Sequence, residues 1–359
     1  MAQFESSVLF SPWQLRGVQF RNRIGVSPMC QYSATDGLGN DWHLVHLGAL
    51  AAGGAGLVMT EATSVTPEGR ISPFDLGLWE DHQMAALARI AAFLESQGAV
   101  PGIQLAHAGR KASVARPWDG GGRLLPGEGG WPVVAPGPLP FNPGELESMG
   151  LDEAGIEGIV EAFQSAACRA AVAGFKVIEL HAAHGYLLHQ FLSPLSNHRK
   201  DGYGSSLDNR MRLPLRIAAI LREALPDDRA LFVRISATDW MDGGWNPEES
   251  VRFAAALKDT GVDLIDVSSG GLAPGASIPL APGYQVPFAA RIRASAQVPT
   301  AAVGLITGAR EAEAIVAEGK ADLVLLGRAM LRDPHWPFQA ARELGAETSW
   351  PSQYLRAKQ

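Results

Sequence analysis

The sequence predicts a closed (β/α)8 barrel of the TIM type. Three observations predict it. Eight short apolar runs recur along the chain, amphipathic segments lie between them, and polar residues gather where the runs end. The runs are Arg23–Val26, Gly56–Thr60, Val100–Gln104, Lys176–Leu180, Leu231–Ile235, Leu264–Val267, Thr300–Val303 and Asp322–Leu326. They are continuously apolar and do not alternate, which is the pattern of strands buried on both faces in a parallel sheet. Eight strand–helix units in succession favour closure over an open doubly wound sheet.

The intervening helices carry their own start and stop signals. In 81–98 the residues Met84, Leu87, Ile90, Ala91 and Leu94 form one apolar stripe, and Gly98 marks the stop. In 152–174 the stripe is Ile156, Ile159, Val160 and Phe163, ended by Gly174. Asn246-Pro247-Glu248-Glu249 offers an N-cap, a proline at the first helical position and acids in the first turn, with Gly261 closing the helix. Gly319 closes the helix before the last run.

Two segments fall outside the repeat. Leu9-Phe10 and Val18-Gln19-Phe20 around Arg16-Gly17 read as a hairpin plugging the barrel's bottom. Residues 108–150, rich in Gly and Pro, read as an excursion capping the active face. The expected organisation is one domain over 1–359, with a C-terminal helix and tail at 335–359.

The bulk numbers restrict the function. With 30 Lys+Arg against 37 Asp+Glu, the net charge of −7 opposes a nucleic-acid role, which needs a basic face. At 47% hydrophobic and 19% charged residues, the composition is that of a globular protein. The most apolar stretch, Leu47–Met59, is too short to span a membrane and contains Gly53-Gly54. The first ten residues hold an acid and no long apolar run, unlike a signal peptide. Two cysteines without a CxxC fit a reduced, cytoplasmic setting.

Chemistry in such barrels belongs to the carboxyl ends of the strands. There the sequence places Ser27-Pro28-Met29-Cys30, Thr60-Glu61-Ala62, Gln104 and His107. Further round come His181 with His184 and Tyr186, then Ser268-Ser269-Gly270-Gly271, Gly304, and Gly327-Arg328. Glycines after the last two strands, beside an arginine, suit a phosphate, although loop glycines are also ordinary. His181 and His184, three residues apart at a strand end, can donate to one oxygen, with Tyr186 able to supply a proton. A metal pair or two satisfied buried histidines are the other readings. Arg234 inside an apolar run needs an anion, either a ligand or an acid such as Asp239 or Asp266. Cys30 by itself reads equally as a small apolar residue, and Cys168 as helix packing.

These motifs resemble those of the old yellow enzyme family, in particular its thermophilic-like branch with the xenobiotic reductases. The matching segments are Ser27-Pro28-Met29-Cys30-Gln31-Tyr32, Glu61-Ala62, the stretch from Gly102 to Lys111, and Glu179 to Leu187. Leu192-Ser193-Pro194, Asp208-Asn209-Arg210 and Leu326-Gly327-Arg328 complete the series. The resemblance implies non-covalent FMN across the barrel mouth, with NADPH or NADH as reductant. It puts Arg234 at the flavin N1/O2 edge, Gln104 on the pyrimidine side, and Pro28, Met29 and Ala62 along the ring. Gly304, Gly327 and Arg328 would hold the phosphate, and Cys30 would tune the flavin near N5/O4. His181 and His184 would polarise the carbonyl of an α,β-unsaturated substrate, Tyr186 would protonate Cα, and Tyr32 and Lys111 would border the substrate. The branch also implies a homodimer or homotetramer in which Arg356, in Gln353-Tyr354-Leu355-Arg356, completes a neighbour's pocket. Ser205 departs from the glycine usual after Tyr203-Gly204, and Ala357-Lys358-Gln359 departs from the usual aromatic ending.

Rival readings fare worse. An iron–sulfur relative needs a cysteine cluster that two distant cysteines do not make. A Schiff-base aldolase would need Lys111 inside a strand, whereas it follows one. Nitro compounds, quinones or metal oxyanions are alternative acceptors for the same site, and a non-catalytic flavin-binding barrel would have no use for the histidines and Tyr186.

Overall fold

A computed structural model describes residues 7–358. Residues 1–6, which carry much of the stretch read as unlike a signal peptide, and Gln359 lie outside the described residues. The chain opens with an antiparallel hairpin, β1 (Trp13–Leu15) and β2 (Val18–Phe20). Arg16 takes the left-handed turn position, at φ 50°. Leu9 and Phe10 precede the hairpin and are not part of it, since pairing starts at Trp13.

Eight parallel strands then close a barrel. They are β3 (Ile24–Val26), β4 (Leu57–Ser64), β5 (Val100–Ala106), β8 (Val177–Ala182), β9 (Ala230–Ser236), β10 (Leu264–Ser268), β11 (Thr300–Ala302) and β12 (Leu323–Leu326), with β12 pairing back to β3. All eight are where the apolar runs predict them. Five run further than expected: β4 reaches Ser64, β5 Ala106, β8 Ala182, β9 Ser236 and β10 Ser268, so Glu61 and Ala62 lie within a strand and not beyond it. A register shift between Met59 and Ala62 bends β4 at that point.

The helices stand outside the barrel. They are α1 (Asp41–Ala52), α2 (Met84–Ser96), α3 (Glu153–Val172), α4 (Leu187–Leu192), α5 (Leu207–Ala224), α6 (Pro247–Asp259), α7 (Val286–Ala296), α8 (Ala309–Ala317), α9 (Arg328–Arg332) and α10 (Trp336–Leu344). The expected 81–98 helix begins with a 3-10 turn over Asp81–Gln83. Asn246 caps α6 by accepting from the Glu248 and Glu249 amides, a contact of about 1 kcal/mol. Gly98, Gly174, Gly261 and Gly319 all follow their helices with positive φ.

Two apolar compartments result. One lies between strands and helices and includes Phe163, Phe175, Phe191 and Phe253. The other plugs the amino end of the lumen, where Val18 and Phe20 of the hairpin pack with Leu57, Met59, Val100, Phe232 and Leu325. The 108–150 excursion holds three 3-10 turns and a short strand pair, β6 (Val134–Ala135) with β7 (Met149–Gly150). It folds back on the active end: the Trp131 indole donates to the Glu68 carbonyl at 2.8 Å, and Trp118 meets Tyr32 edge-on at 5.9 Å. Ser205 takes a left-handed conformation (φ 68°), which costs a side-chain-bearing residue about 1 kcal/mol, and its hydroxyl donates to the Arg199 carbonyl.

Candidate functional site

Period-two alternation along the strands builds the site above the apolar plug. Residues Val177, Glu179 and His181 of β8 share one face, as do Phe232 and Arg234 of β9 and Leu264 and Asp266 of β10. The plug is therefore followed by a buried layer of Gln104, Glu179, Arg234 and Asp266. Gln104 is paired in register with Glu179 and donates to it from Nε2 at 2.8 Å, which fixes the amide's orientation. Arg234 Nε lies 3.0 Å from Asp266, the second of its two candidate acids. The angle leaves both groups without a hydrogen bond. Burial, together with the negative charge of Asp266, pushes the Glu179 carboxyl well above the carboxylate range.

His181 and His184 stand one level higher. The Ala183 amide donates to His181 Nδ1 at 3.2 Å, so His181 carries its proton on Nε2. His184 Nδ1 lies 3.4 Å from that Nε2, with the rings at 84°. His184 has a left-handed backbone (φ 58°), held by its amide donating to Ser236 Oγ at 2.9 Å. Tyr186 meets His181 edge-on, with ring centroids 5.0 Å apart. Burial, then the nearby Arg234 cation, holds both imidazoles neutral, and burial keeps the Tyr186 hydroxyl protonated. The result is a set of neutral N–H and O–H donors around one space. Among the described residues, no three His, Cys, Asp or Glu groups converge as a metal would require.

Lys111 borders the same space. Its ammonium donates to the His184 carbonyl at 2.8 Å and the Gly271 carbonyl at 3.0 Å, and lies 5.1 Å from the Tyr186 ring centre. Burial and the Arg110 cation bring its pKa down to about 8. Cys30, Tyr32, Ala62 and Tyr186 share one apolar cluster. Cys30 bonds Tyr32, and burial pushes the Cys30 thiol up, so it is not a thiolate.

On the far side lie the two glycines. Gly304 has φ 120°, where only glycine is comfortable, and a Cβ there would come within 2.7 Å of Gln285 Nε2. Gly327 is close to Met29, which is near the end of the neighbouring strand. Arg328 is exposed and forms no ion pair with any described residue. Arg356 is not brought to this site. It lies exposed on a 3-10 turn (Ser352–Ala357) packed near α10, where Tyr354 meets His335 at 5.9 Å.

Several supporting residues escape a reading of motifs. Glu61 accepts from the Gln31 amide at 2.8 Å and from buried His43 at 3.0 Å, and so anchors the Cys30–Tyr32 segment. Gln190 ties the loop after β5 to the loop after β8, through the Ala108 and Gly185 carbonyls and the Arg110 amide. His189 accepts from the Gly185 amide and reaches wholly buried Asp239 at 2.9 Å. An acid inside a strand and two polar residues on a six-residue buried helix were the available signals.

A barrel with an unpaired arginine beside two strand-end glycines, a buried arginine one level below, and neutral donors above it has the form of a flavin-dependent oxidoreductase. Comparison with known proteins agrees. Residues 8–347 match the NADH:flavin oxidoreductase / NADH oxidase family, and the chain belongs to it. An NADPH dehydrogenase of Geobacillus thermodenitrificans is 48% identical over 98% of both chains. Morphinone reductase shares the fold with a TM-score of 0.78 at 26% identity, covering 98% of this chain and 93% of its own. A 2-naphthoyl-CoA reductase gives 0.84 at 26% identity over 94% of this chain, which spans about half of that longer protein (52%). The old yellow enzyme resemblance stands, and the protein is an FMN-dependent NAD(P)H oxidoreductase.

The residues fit FMN. Arg234 is an incompletely partnered buried cation suited to an electron-rich ring edge. Gln104 spends an amide hydrogen on Glu179 and keeps its carbonyl oxygen for an N–H such as that of a pyrimidine. Arg328, without an ion pair among the described residues, is a cation beside backbone that can approach closely.

Proposed function

We propose that the protein reduces the activated C=C bond of α,β-unsaturated carbonyl compounds at the expense of NAD(P)H, and that the chain works as one FMN-binding unit. The observation carrying this reading is the convergence of His181, His184 and Tyr186, three neutral donors around one space. FMN, when bound, would supply the hydride-transfer chemistry between the nicotinamide and the alkene. His181 and His184 hold the carbonyl oxygen and favour the charge that develops on it. Tyr186 gives a proton to Cα as general acid. Tyr32 and Lys111 border the substrate.

Arg234 would hold the N1/O2 edge of the flavin and Gln104 its pyrimidine. Pro28, Met29 and Ala62 would line the ring, and Cys30 would adjust its potential as a thiol. Gly304, Gly327 and Arg328 would hold the phosphate. Arg356 serves a neighbouring subunit of a homodimer or homotetramer, in keeping with its exposure away from its own site. Two free cysteines support a cytoplasmic location, which cell fractionation tests.

The testing experiment is the visible spectrum of purified protein under anaerobic NADPH, followed by 2-cyclohexenone. Flavin bands that bleach and then return support the reading. Bands that bleach and stay bleached with the enone overturn the acceptor class, and nitro compounds, quinones or metal oxyanions become the acceptors to try.

A further inference from the structure

His184 can serve as a donor to a carbonyl oxygen only if its proton is on Nδ1, the nitrogen facing His181. Free imidazole prefers the other tautomer, so something must hold His184 against that preference. Its Nε2 lies 2.6 Å from the hydroxyl of Ser268, at the end of β10. The question is which of the two is the donor.

The surrounding hydrogen bonds favour Ser268. Gln285 donates from Nε2 to the Val303 carbonyl at 2.9 Å, so its amide is oriented and Oε1 faces the serines. Ser269 already donates to that Oε1 at 2.6 Å. Ser268 lies 3.3 Å from the same oxygen, too far to match its 2.6 Å contact with the imidazole. The shorter contact thus favours His184 Nε2 over Gln285 as the acceptor of the single Ser268 proton. That leaves Nδ1 protonated, facing the Nε2–H that the Ala183 amide imposes on His181. Two N–H groups then point at each other across 3.4 Å without bonding. This is a poor contact for the empty pair and a good one for a pair awaiting a shared oxygen.

The pieces that could let His184 escape are immobilised. Its backbone is pinned by Ser236, whose own hydroxyl donates to the Gly270 carbonyl at 2.8 Å. Gly271 packs so closely that a Cβ would come within 2.8 Å of His184 Cα. Lys111 holds the His184 and Gly271 carbonyls together from the other side.

We propose that Ser268 is a positioning residue that holds His184 in its Nδ1–H tautomer, so that both histidines present donors to one substrate oxygen. The inference rests on the carbonyl-binding reading given above, and its test is separate from turnover. Nitrogen-15 spectra of histidine-labelled, flavin-loaded full-length protein, with His184 assigned by a His184→Gln sample, report the tautomer directly. Nδ1–H is expected at His184 and Nε2–H at His181. In Ser268→Ala the His184 signals should move to the Nε2–H pattern, and Ser268→Thr, which keeps the hydroxyl, should restore Nδ1–H. Enone reduction should fall at least about tenfold in the alanine variant, below the loss typical of a missing oxyanion donor, and recover in the threonine variant. Nε2–H at His184 in the native protein, or Nδ1–H persisting in a folded Ser268→Ala, overturns the assignment. If the tautomer is as stated but no enone is reduced, Ser268 keeps its role and the substrate class fails alone.

Discussion

Gln104 donates to Glu179 across 2.8 Å inside the barrel lumen, and the other oxygen of Glu179 has no partner. A buried carboxylate in that state costs far more than a buried carboxylic acid. The carboxyl is raised by its burial and by Asp266, and stays protonated where an unfolded glutamate ionises. A group raised in the folded state stabilises the fold fully below its unfolded pKa, near that of a free glutamate, and loses this as pH rises through its folded pKa. The buried histidines act in the opposite sense, since His107 is brought down to about 4 by burial and stabilises the neutral form. The difference between variants isolates Glu179. The Tm of Glu179→Gln should rise relative to that of the native protein as pH goes from about 5 to 8, with the difference largest at the alkaline end. Parallel curves would mean that Glu179 is ionised in the fold.

Tyr186 lies between His181 and Lys111, its ring 5.0 Å from the first and 5.1 Å from the ammonium of the second. Burial keeps it a phenol at neutral pH. Replacing it by phenylalanine keeps the ring packing and removes only the hydroxyl. Stopped-flow reduction by NADPH should be little changed, while reoxidation by an enone should slow about a hundredfold, within the range of a general acid. Equal slowing of both halves would show that the hydroxyl positions ligands and does not protonate them.

Much of this arrangement was legible in the sequence. The eight strands are visible because continuous apolar runs have little other use in a chain of this composition. Arg234 stood out because an arginine within such a run requires an anion, and Asp266 was one of two acids named for it. Reading beyond that failed where partners are far apart in sequence. Asp239 looked equally available to Arg234, yet it serves His189, Ser193 and the Trp245 amide, because β9 ends before it and turns it away from the lumen. The Glu61–His43 pair joins β4 to α1, and no local pattern announces such a contact. The strand ends were misplaced for a related reason: the polar residues Glu61 and Thr63 continue β4 where apolar patterning stops.

The tail requires a different test. Arg356 is exposed and Tyr354 half-exposed, and both lie on a turn packed near α10 and away from the histidines. If the arginine works in a neighbouring subunit, Arg356→Ala should raise KM for the enone severalfold while sedimentation shows the same assembly. Removing the last six residues should raise KM at least as much. Unchanged KM in both would free the tail of any part in catalysis.

Arg328 gives the most direct measure of the phosphate site. It is exposed, without an ion pair among the described residues, and adjoins Gly327 at the end of β12. A guanidinium bonded to a phosphate contributes on the order of 1.5–3 kcal/mol, a factor of about 10 to 150 in affinity. Arg328→Ala should weaken FMN by that factor in a fluorescence titration of flavin-free protein. Riboflavin has the same ring and side chain without the phosphate, so its affinity should be nearly the same in both proteins. The native preference for FMN over riboflavin should shrink accordingly. Loss of both affinities together would point to a collapsed loop, and loss of neither would move the phosphate away from Arg328 and leave the backbone at Gly304 and Gly327 to hold it.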